Sequence, residues 1–386
     1  MSASHPFPLP PPIDGRVDVL IVAGEHSGDE HAAKLVRELR ARAPGLVAAA
    51  LGGPQLESAG AQLLYDLTAS SVVGVVEVLK NYPFFRALFG EIVRWIEEHR
   101  PRAVCFVDYP GLNLRLAEAM RARGLSVKGG GTIKTLYYIS PQIWAWKAGR
   151  RFAMARTLDA MAVIFPFEVK SYADTTLPVE FVGHPFVAED YVSPVCYDPA
   201  GPVLLLPGSR KQAVARIFPA LLEGFRAFGQ REAVVLYPSA DILAVLQAAQ
   251  PPANVTFRPI SASDPSAAQP VTAAAVLTSS GTMSMHCALA GIPGAIAYRA
   301  SPLTYLLGRC LLKVPYLGIA NLLLDDAMYP EFIQGDVTPE ALAAELRASV
   351  SDPVRRAHTT VQSARLYQLL RKPATGTVTD WLIRQM

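Results

Sequence analysis

The chain has 386 residues, 51% of them hydrophobic and 18% charged, with a formal net charge of +3. A length of that order supports two or three domains, each with its own core, and the composition excludes a disordered chain or a solvated repeat. So small a net charge gives no bulk electrostatic reason to bind nucleic acid.

Cys105, Cys196, Cys287 and Cys310 form no C-x-x-C pair, which argues against a disulfide framework or a zinc site and fits a reducing compartment. Residues 1–15 are rich in proline and lack a basic start ahead of an apolar core. They are expected to be a flexible lead-in rather than a signal peptide.

From Val17 onward, short apolar runs alternate with amphipathic stretches, the pattern of a parallel sheet covered by helices. Val17–Ala23 predicts a buried strand. The next segment places Ala32, Leu35, Val36 and Leu39 on one helical face, with Asp29 and Glu30 in the first turn and Lys34, Arg37 and Arg40 beyond, as the helix dipole favours. Ala103–Val107, Thr132–Ile139 and Ala160–Ile164 repeat the strand signature, and Leu114–Ala122 predicts a helix between the first two. These elements make residues 16–187 one domain.

Residues 188–201, with Pro194, Pro199 and Gly201, read as a linker. A second series follows over 202–350: Val203–Leu206, Ala233–Tyr237, Ala274–Leu277 and Gly294–Ala297. Residues 351–386 are expected to add C-terminal helices. The stretch Pro265–Tyr298 carries no Lys, Arg, Asp or Glu, but Ser279-Ser280-Gly281, His286, Gly291 and Pro293 interrupt it. It predicts a strand–loop–helix–strand passage, not a membrane span. Two α/β domains of this kind imply a cleft, with ligands at the carboxyl ends of the strands.

Four strand-end motifs could carry chemistry. Gly24-Glu25-His26-Ser27-Gly28-Asp29 opens a helix, where small residues and bare N–H groups suit anions or hydroxyls, or simply make a tight turn. It has neither the G-x-G-x-x-G nor the G-x-S-x-G spacing. Asp108 ends an apolar strand; partial desolvation there raises a carboxylate's basicity, and helix capping by Asp108 or Asn113 is the other reading. In Leu206-Pro207-Gly208-Ser209-Arg210, an arginine fork follows a strand and suits a diphosphate leaving group. Ser279-Ser280-Gly281-Thr282 is either a phosphate cradle at a helix start or a plain N-cap. No D-x-D pair ends a strand, so no metal is expected: Arg210 and the helix dipole would neutralise the charge.

Between Phe84 and Arg100, the residues Phe84, Phe85, Leu88, Phe89, Ile92, Val93, Trp95 and Ile96 fill an arc of ~180°, wider than the ~100° stripe that core packing needs. The helix is either buried between two neighbours or presents Phe84, Phe85, Leu88 and Phe89 to acyl chains or the bilayer.

Taken in order, several blocks resemble the lipid A disaccharide synthase family. They are Val22–Asp29, Gly52-Gly53-Pro54, Val73–Leu79, Asp108-Tyr109-Pro110 with Asn113, Tyr138–Trp146, and Phe165-Pro166-Phe167-Glu168 followed by Phe181–His184. In the second half they are Leu206–Arg210, Ser280-Gly281-Thr282, Tyr298-Arg299, Asn321-Leu322-Leu323, and Pro330-Glu331 with Gln334. The S-P-x-x-W-A-W and G-E-x-S-G-D blocks are specific to that family among nucleotide-sugar transferases.

The resemblance implies a GT-B architecture of two Rossmann-like domains. It also implies an inverting transfer from UDP-2,3-diacylglucosamine to 2,3-diacylglucosamine 1-phosphate, releasing UDP; the UDP-sugar is a substrate, so no cofactor is implied. By this carry-over Asp108 is the general base. Arg210, Ser280, Gly281 and Thr282 would hold the UDP phosphates, and Tyr298, Asn321, Glu331 and Gln334 would line the uridine and sugar pocket. Gly24, Glu25, Ser27, Gly28, Asp29 and Asn113 would lie on the acceptor side.

The sequence departs from the family pattern at Gly111, at Ala213 and at His286, which stands where a glutamate is usual. The same resemblance implies a cytoplasmic enzyme peripheral to the inner membrane of a Gram-negative-type bacterium, and a homodimer is among its expectations. Another UDP-sugar enzyme acting on a lipid acceptor, and a membrane-associated binding protein without turnover, are the rival readings.

Overall fold

A computed structural model describes residues 8–71, 82–229, 231–260, 269–301, 305–306, 314–371 and 376–386. The block Val73–Leu79 lies outside the described residues, as does the start of the uncharged stretch at Pro265. The chain divides into two compact units: Met1–Pro185 together with Lys372–Met386, and Phe186–Arg371.

The first unit is built on a seven-stranded parallel sheet. Its strands are β1 (Val19–Ala23), β2 (Ala48–Gly52), β3 (Gln62–Asp66), β4 (Ala103–Val107), β5 (Lys134–Tyr138), β6 (Ala160–Val163) and β7 (Val179–Phe181), in the order β3-β2-β1-β4-β5-β6-β7. Every residue of β1, β2, β4 and β6 is buried, as expected of strands covered by helices on both faces. Chain order reverses between β1 and β4, the place where open α/β sheets bind ligands.

The second unit repeats the plan with β9 (Val203–Leu206), β10 (Ala233–Tyr237), β11 (Val255–Pro259), β13 (Ala275–Thr278), β14 (Gly294–Tyr298) and β15 (Glu331–Ile333). Their order is β11-β10-β9-β13-β14-β15, so the reversal falls between β9 and β13. The helices Lys211–Phe228 and Pro339–Ser351 lie so close that a Cβ on Gly224 would come within 2.5 Å of the Leu342 Cβ. That contact and the apolar faces of both helices make one core with Val203, Leu205, Leu277 and Ala297.

Three expectations change here. The stretch 188–201 is not a bare linker, because it contains β8 (Val195–Tyr197), which pairs in parallel with β12 (Val271–Ala273). Apolar and β-branched residues at Val195 and Val271 give both short strands a buried anchor.

The C-terminal residues do not form one group. The helix Pro353–Arg371 belongs to the second unit, whereas Val378–Gln385 belongs to the first. Trp381 of that last helix is fully buried, and Thr379 donates to Glu38 at 2.7 Å.

The wide apolar arc, finally, is mainly core. In the helix Tyr82–His99, Leu88, Ile92, Val93, Trp95 and Ile96 are buried in the first unit's core. The Trp95 indole donates to the Pro10 carbonyl at 2.9 Å, so the proline-rich lead-in covers part of the arc. Phe84 and Phe89 are half-buried against that core, and Phe85 packs edge-on to Phe84 with ring centres 5.6 Å apart. Leu88 is therefore unavailable to acyl chains; only the three phenylalanines keep an exposed part. Among the described residues no helix is long and apolar enough to cross a membrane.

Candidate active site

At the first unit's reversal point, the loops after β1 and β4 lie side by side. Asp108 and Tyr109, directly after β4, both hold φ near +47°, a left-handed conformation that non-glycine residues adopt at a cost of ~1–3 kcal/mol each. Pro110 then starts the helix Pro110–Ala122 at its first position, where a missing N–H is harmless. The Tyr109 ring lies across Gly24: a Cβ there would meet it at 2.1 Å. Glycine at position 24 is thus what lets the two loops close together.

The strained turn is tied from several sides. The Asp108 N–H donates to the Tyr138 carbonyl at 3.0 Å. The Asp108 carbonyl accepts from the Tyr137 hydroxyl at 2.6 Å and from the Asn113 amide at 2.7 Å. These bonds fix the backbone and leave the carboxylate to its surroundings. Burial first, and the nearby Glu25 carboxylate second, push the Asp108 carboxyl up to about 6, against a partial opposing pull from the Tyr109 N–H. Such a group is ionised at neutral pH yet far more basic than an ordinary aspartate, as a general base requires.

A second buried acid sits nearby. Glu168, in the 3₁₀ turn Pro166–Tyr172 after β6, is 1% exposed and accepts from the Phe165 N–H at 3.1 Å. Burial is the main reason its carboxyl is pushed up to about 8; donation by the Phe165 N–H opposes this, and the Asp108 charge adds to it. The same turn carries Tyr172, whose hydroxyl is 2.6 Å from the Ser140 hydroxyl. Sequence reasoning placed Glu168 in a family block without giving it a role. A glutamate shortly after an apolar strand is the signal, but its burial is a tertiary fact.

Two of the acceptor-side residues face inward. Asp29 is buried, and its carboxylate accepts from the N–H groups of Gly53 (2.7 Å), Gln55 (3.0 Å) and Leu56 (3.3 Å). It caps the short helix Pro54–Ser58 instead of meeting substrate. Asn113 is fully buried and also reaches the Val22 carbonyl at 3.3 Å, which joins the ends of β1 and β4. Gly28 is buried as well, while Glu25 and Ser27 are exposed at the rim.

In the second unit the reversal point has the opposite character. The Ser279 N–H donates to the Leu206 carbonyl at 2.8 Å, and a Cβ on Gly208 (φ +107°) would lie 3.2 Å from the Ser279 hydroxyl. The two loops expected to hold phosphate are therefore neighbours. Arg210 is exposed at the start of the helix Lys211–Phe228, and Gly281 starts the helix Thr282–Leu289. Neither helix start is capped by a side chain, so two positive helix ends, one arginine and the hydroxyls of Ser280 and Thr282 face the same edge.

The remaining nucleotide-side residues divide. Tyr298 is half-buried at the end of β14. Asn321 is fully buried, exchanging hydrogen bonds with the Tyr329 backbone at 2.7 and 3.0 Å. Glu331 accepts from the N–H groups of Leu317 and Gly318 and from the Asn321 amide, all within 2.9 Å. Gln334 binds both the N–H and the carbonyl of Ala300. These three hold loop backbones together rather than line a pocket with free polar groups.

His286 is buried, hydrogen-bonded through Nδ1 to the Tyr191 hydroxyl at 2.6 Å and stacked on Phe186 at 4.0 Å. Among the described residues no cluster of three His, Cys, Asp or Glu could hold a metal ion.

The family model for lipid-A-disaccharide synthetase matches residues 19–376. The lipid-A-disaccharide synthase of Geobacter metallireducens is 36% identical over 370 residues, covering 91% of this chain and 92% of that one. Lipid-A-disaccharide synthase 1 of Legionella pneumophila strain Paris is 37% identical over 352 residues, covering 87% and 88%. In fold, the chain is similar to the UDP-GlcNAc 2-epimerase of Neisseria meningitidis (TM-score 0.61, 10% identity, 95% and 99% covered). It is also similar to the glycotransferase of kitacinnamycin (TM-score 0.59, 16% identity, 96% and 99% covered). A match of that extent, over both units, means that the chain belongs to the lipid-A-disaccharide synthetase family and is a glycosyltransferase of the GT-B fold.

Proposed function

We propose that the enzyme joins UDP-2,3-diacylglucosamine to 2,3-diacylglucosamine 1-phosphate through a β-1,6 bond, by a single inverting displacement that needs no metal. The observation that carries this reading is the Asp108 carboxyl, held on a strained turn at the sheet's reversal point and pushed up to about 6.

As the acceptor 6-hydroxyl attacks the anomeric carbon of the donor, its proton passes to Asp108. The electron pair of the broken C–O bond leaves with the β-phosphate of UDP. One displacement from the opposite face inverts the anomeric centre. Negative charge growing on the diphosphate is met by Arg210 and by the N–H groups that open the helix Thr282–Leu289, a preorganised set that does the work of a cation. Both substrates are acylated, so the enzyme works as a peripheral protein at the cytoplasmic face of the inner membrane, with the half-buried Phe84, Phe85 and Phe89 touching the lipid.

The test is a turnover assay with both acylated sugars, in chelator, following UDP release and the anomeric configuration of the product. A β-linked disaccharide 1-phosphate is expected. An α-linked product, or strict dependence on Mg²⁺ or Mn²⁺, overturns the reading.

A further inference from the structure

Beyond Asp108, the first unit carries a cationic cluster that no role assigned so far explains. Trp146 is 43% exposed, an unusual state for a tryptophan, in the loop that follows β5. The Lys147 ammonium lies 4.3 Å from the centre of its ring, and the Arg150 guanidinium carbon 5.4 Å from the same centre. Cations over an indole face are attracted to it, but two of them on one ring also repel each other. Among the described residues neither is in an ion pair, whereas the adjacent Arg151 is held by Asp174 at 2.5 Å. Lys147 also has φ +56°, so the backbone bears strain to present this side chain.

The cluster is linked to the reacting end of the sheet. The Arg150 charge acts on the Tyr137 phenol, and that phenol donates to the Asp108 carbonyl at 2.6 Å. Arg150 opens the helix Arg150–Thr157, whose first turn has no acidic residue and whose start has no side-chain cap. Two cations without an ion pair among the described residues, gathered at one exposed ring in the loop after β5, describe a site for an anion such as a sugar phosphate.

Resting on the function proposed above, we infer that Trp146, Lys147 and Arg150 form the subsite for the anomeric phosphate monoester of the acceptor. A phosphate monoester that meets both side chains gives each of them an ionic partner. Through this contact the phosphate anchors the acceptor and helps bring its 6-hydroxyl to Asp108.

The test compares 2,3-diacylglucosamine 1-phosphate with the same sugar lacking the phosphate, both in detergent micelles, for the parent and for the double variant Lys147→Gln/Arg150→Gln. The parent is expected to favour the phosphorylated acceptor by about 10- to 100-fold in kcat/KM, as loss of charge-assisted contacts implies. The double variant should show almost no preference, through a raised KM for the phosphorylated acceptor, with the KM for the UDP-sugar and the melting temperature unchanged. A charge-keeping pair, Lys147→Arg/Arg150→Lys, should restore most of the preference.

A double variant that still prefers the phosphate, or that loses both acceptors equally, overturns the subsite while the functional reading stands. So does one altered only in its pelleting with phosphatidylglycerol vesicles, which would mark a membrane contact. A parent that turns over neither acceptor with any UDP-sugar brings down the functional reading and this subsite with it.

Discussion

The two units share a plan, a parallel sheet with one reversal point, yet the chemistry placed there is opposite. At the β1/β4 reversal the loops offer carboxylates, a strained turn and apolar walls, and the outcome is a more basic acid. At the β9/β13 reversal they offer an arginine, hydroxyls and two uncapped helix starts, an environment for phosphate. The difference arises in a few residues. The strands that meet at the two reversals are buried throughout, so the contrast lies in the loops that follow them. On the function proposed above, one architecture used twice would separate proton removal from charge neutralisation.

Removing the acid from one side is expected to have the largest effect. Asp108→Asn should lower turnover by ~10²–10⁴ while UDP binds as before, since the base is lost and the phosphate edge is untouched. The parent's kcat/KM should rise with pH through about 6, because only the ionised carboxylate accepts a proton. A profile that is flat from pH 5 to 8, or near-normal turnover in the variant, would remove Asp108 from the chemistry.

Breaking the other side should cost less. Arg210→Ala should weaken UDP binding by ~10–100-fold, the size of one lost charge-assisted contact, because the helix starts remain. Calorimetry of UDP binding measures this, and an unchanged affinity would mean that the exposed guanidinium does not meet the nucleotide.

The smallest effect concerns the lipid. Phe85→Ser should reduce pelleting with anionic vesicles a few-fold, with turnover in detergent and melting temperature held, since the ring is only partly buried. A sharp fall in melting temperature with vesicle binding intact would place Phe85 with Leu88 in the core.

Much of this division was legible in the sequence, for a physical reason. Runs such as Val19–Ala23, Ala103–Val107 and Val203–Leu206 are continuous and apolar, a pattern that parallel strands buried on both faces require. β2 was missed because Ala48-Ala49-Ala50-Leu51-Gly52 has a helix-former's composition; pairing with β1 and β3 overrides it. Asp29, Asn113, Asn321, Glu331 and Gln334 were expected at the ligand sites, yet each bonds buried or loop backbone, Glu331 the Asn321 amide as well and Asn113 through its amide N–H groups alone. A sequence marks a polar residue but not the partner it finds, and unpaired backbone groups in a packed interior are costly enough to recruit one. Leu88 misled for a similar reason: a wide apolar arc looks the same whether it is met by lipid or by a returning N-terminal segment.

The path of the chain has a consequence for how the protein is made. The helix Val378–Gln385, with Trp381 fully buried, belongs to the unit that begins with β1, yet the whole of Phe186–Arg371 is synthesised before it. During translation the first unit therefore waits with an unfilled seat for an indole while the second emerges and folds. The first unit's core is complete only once that helix has been made. A premature stop just after Arg371 would leave the second unit whole and the first permanently open at that seat, exposed to quality control although its acid and its strained turn are already encoded.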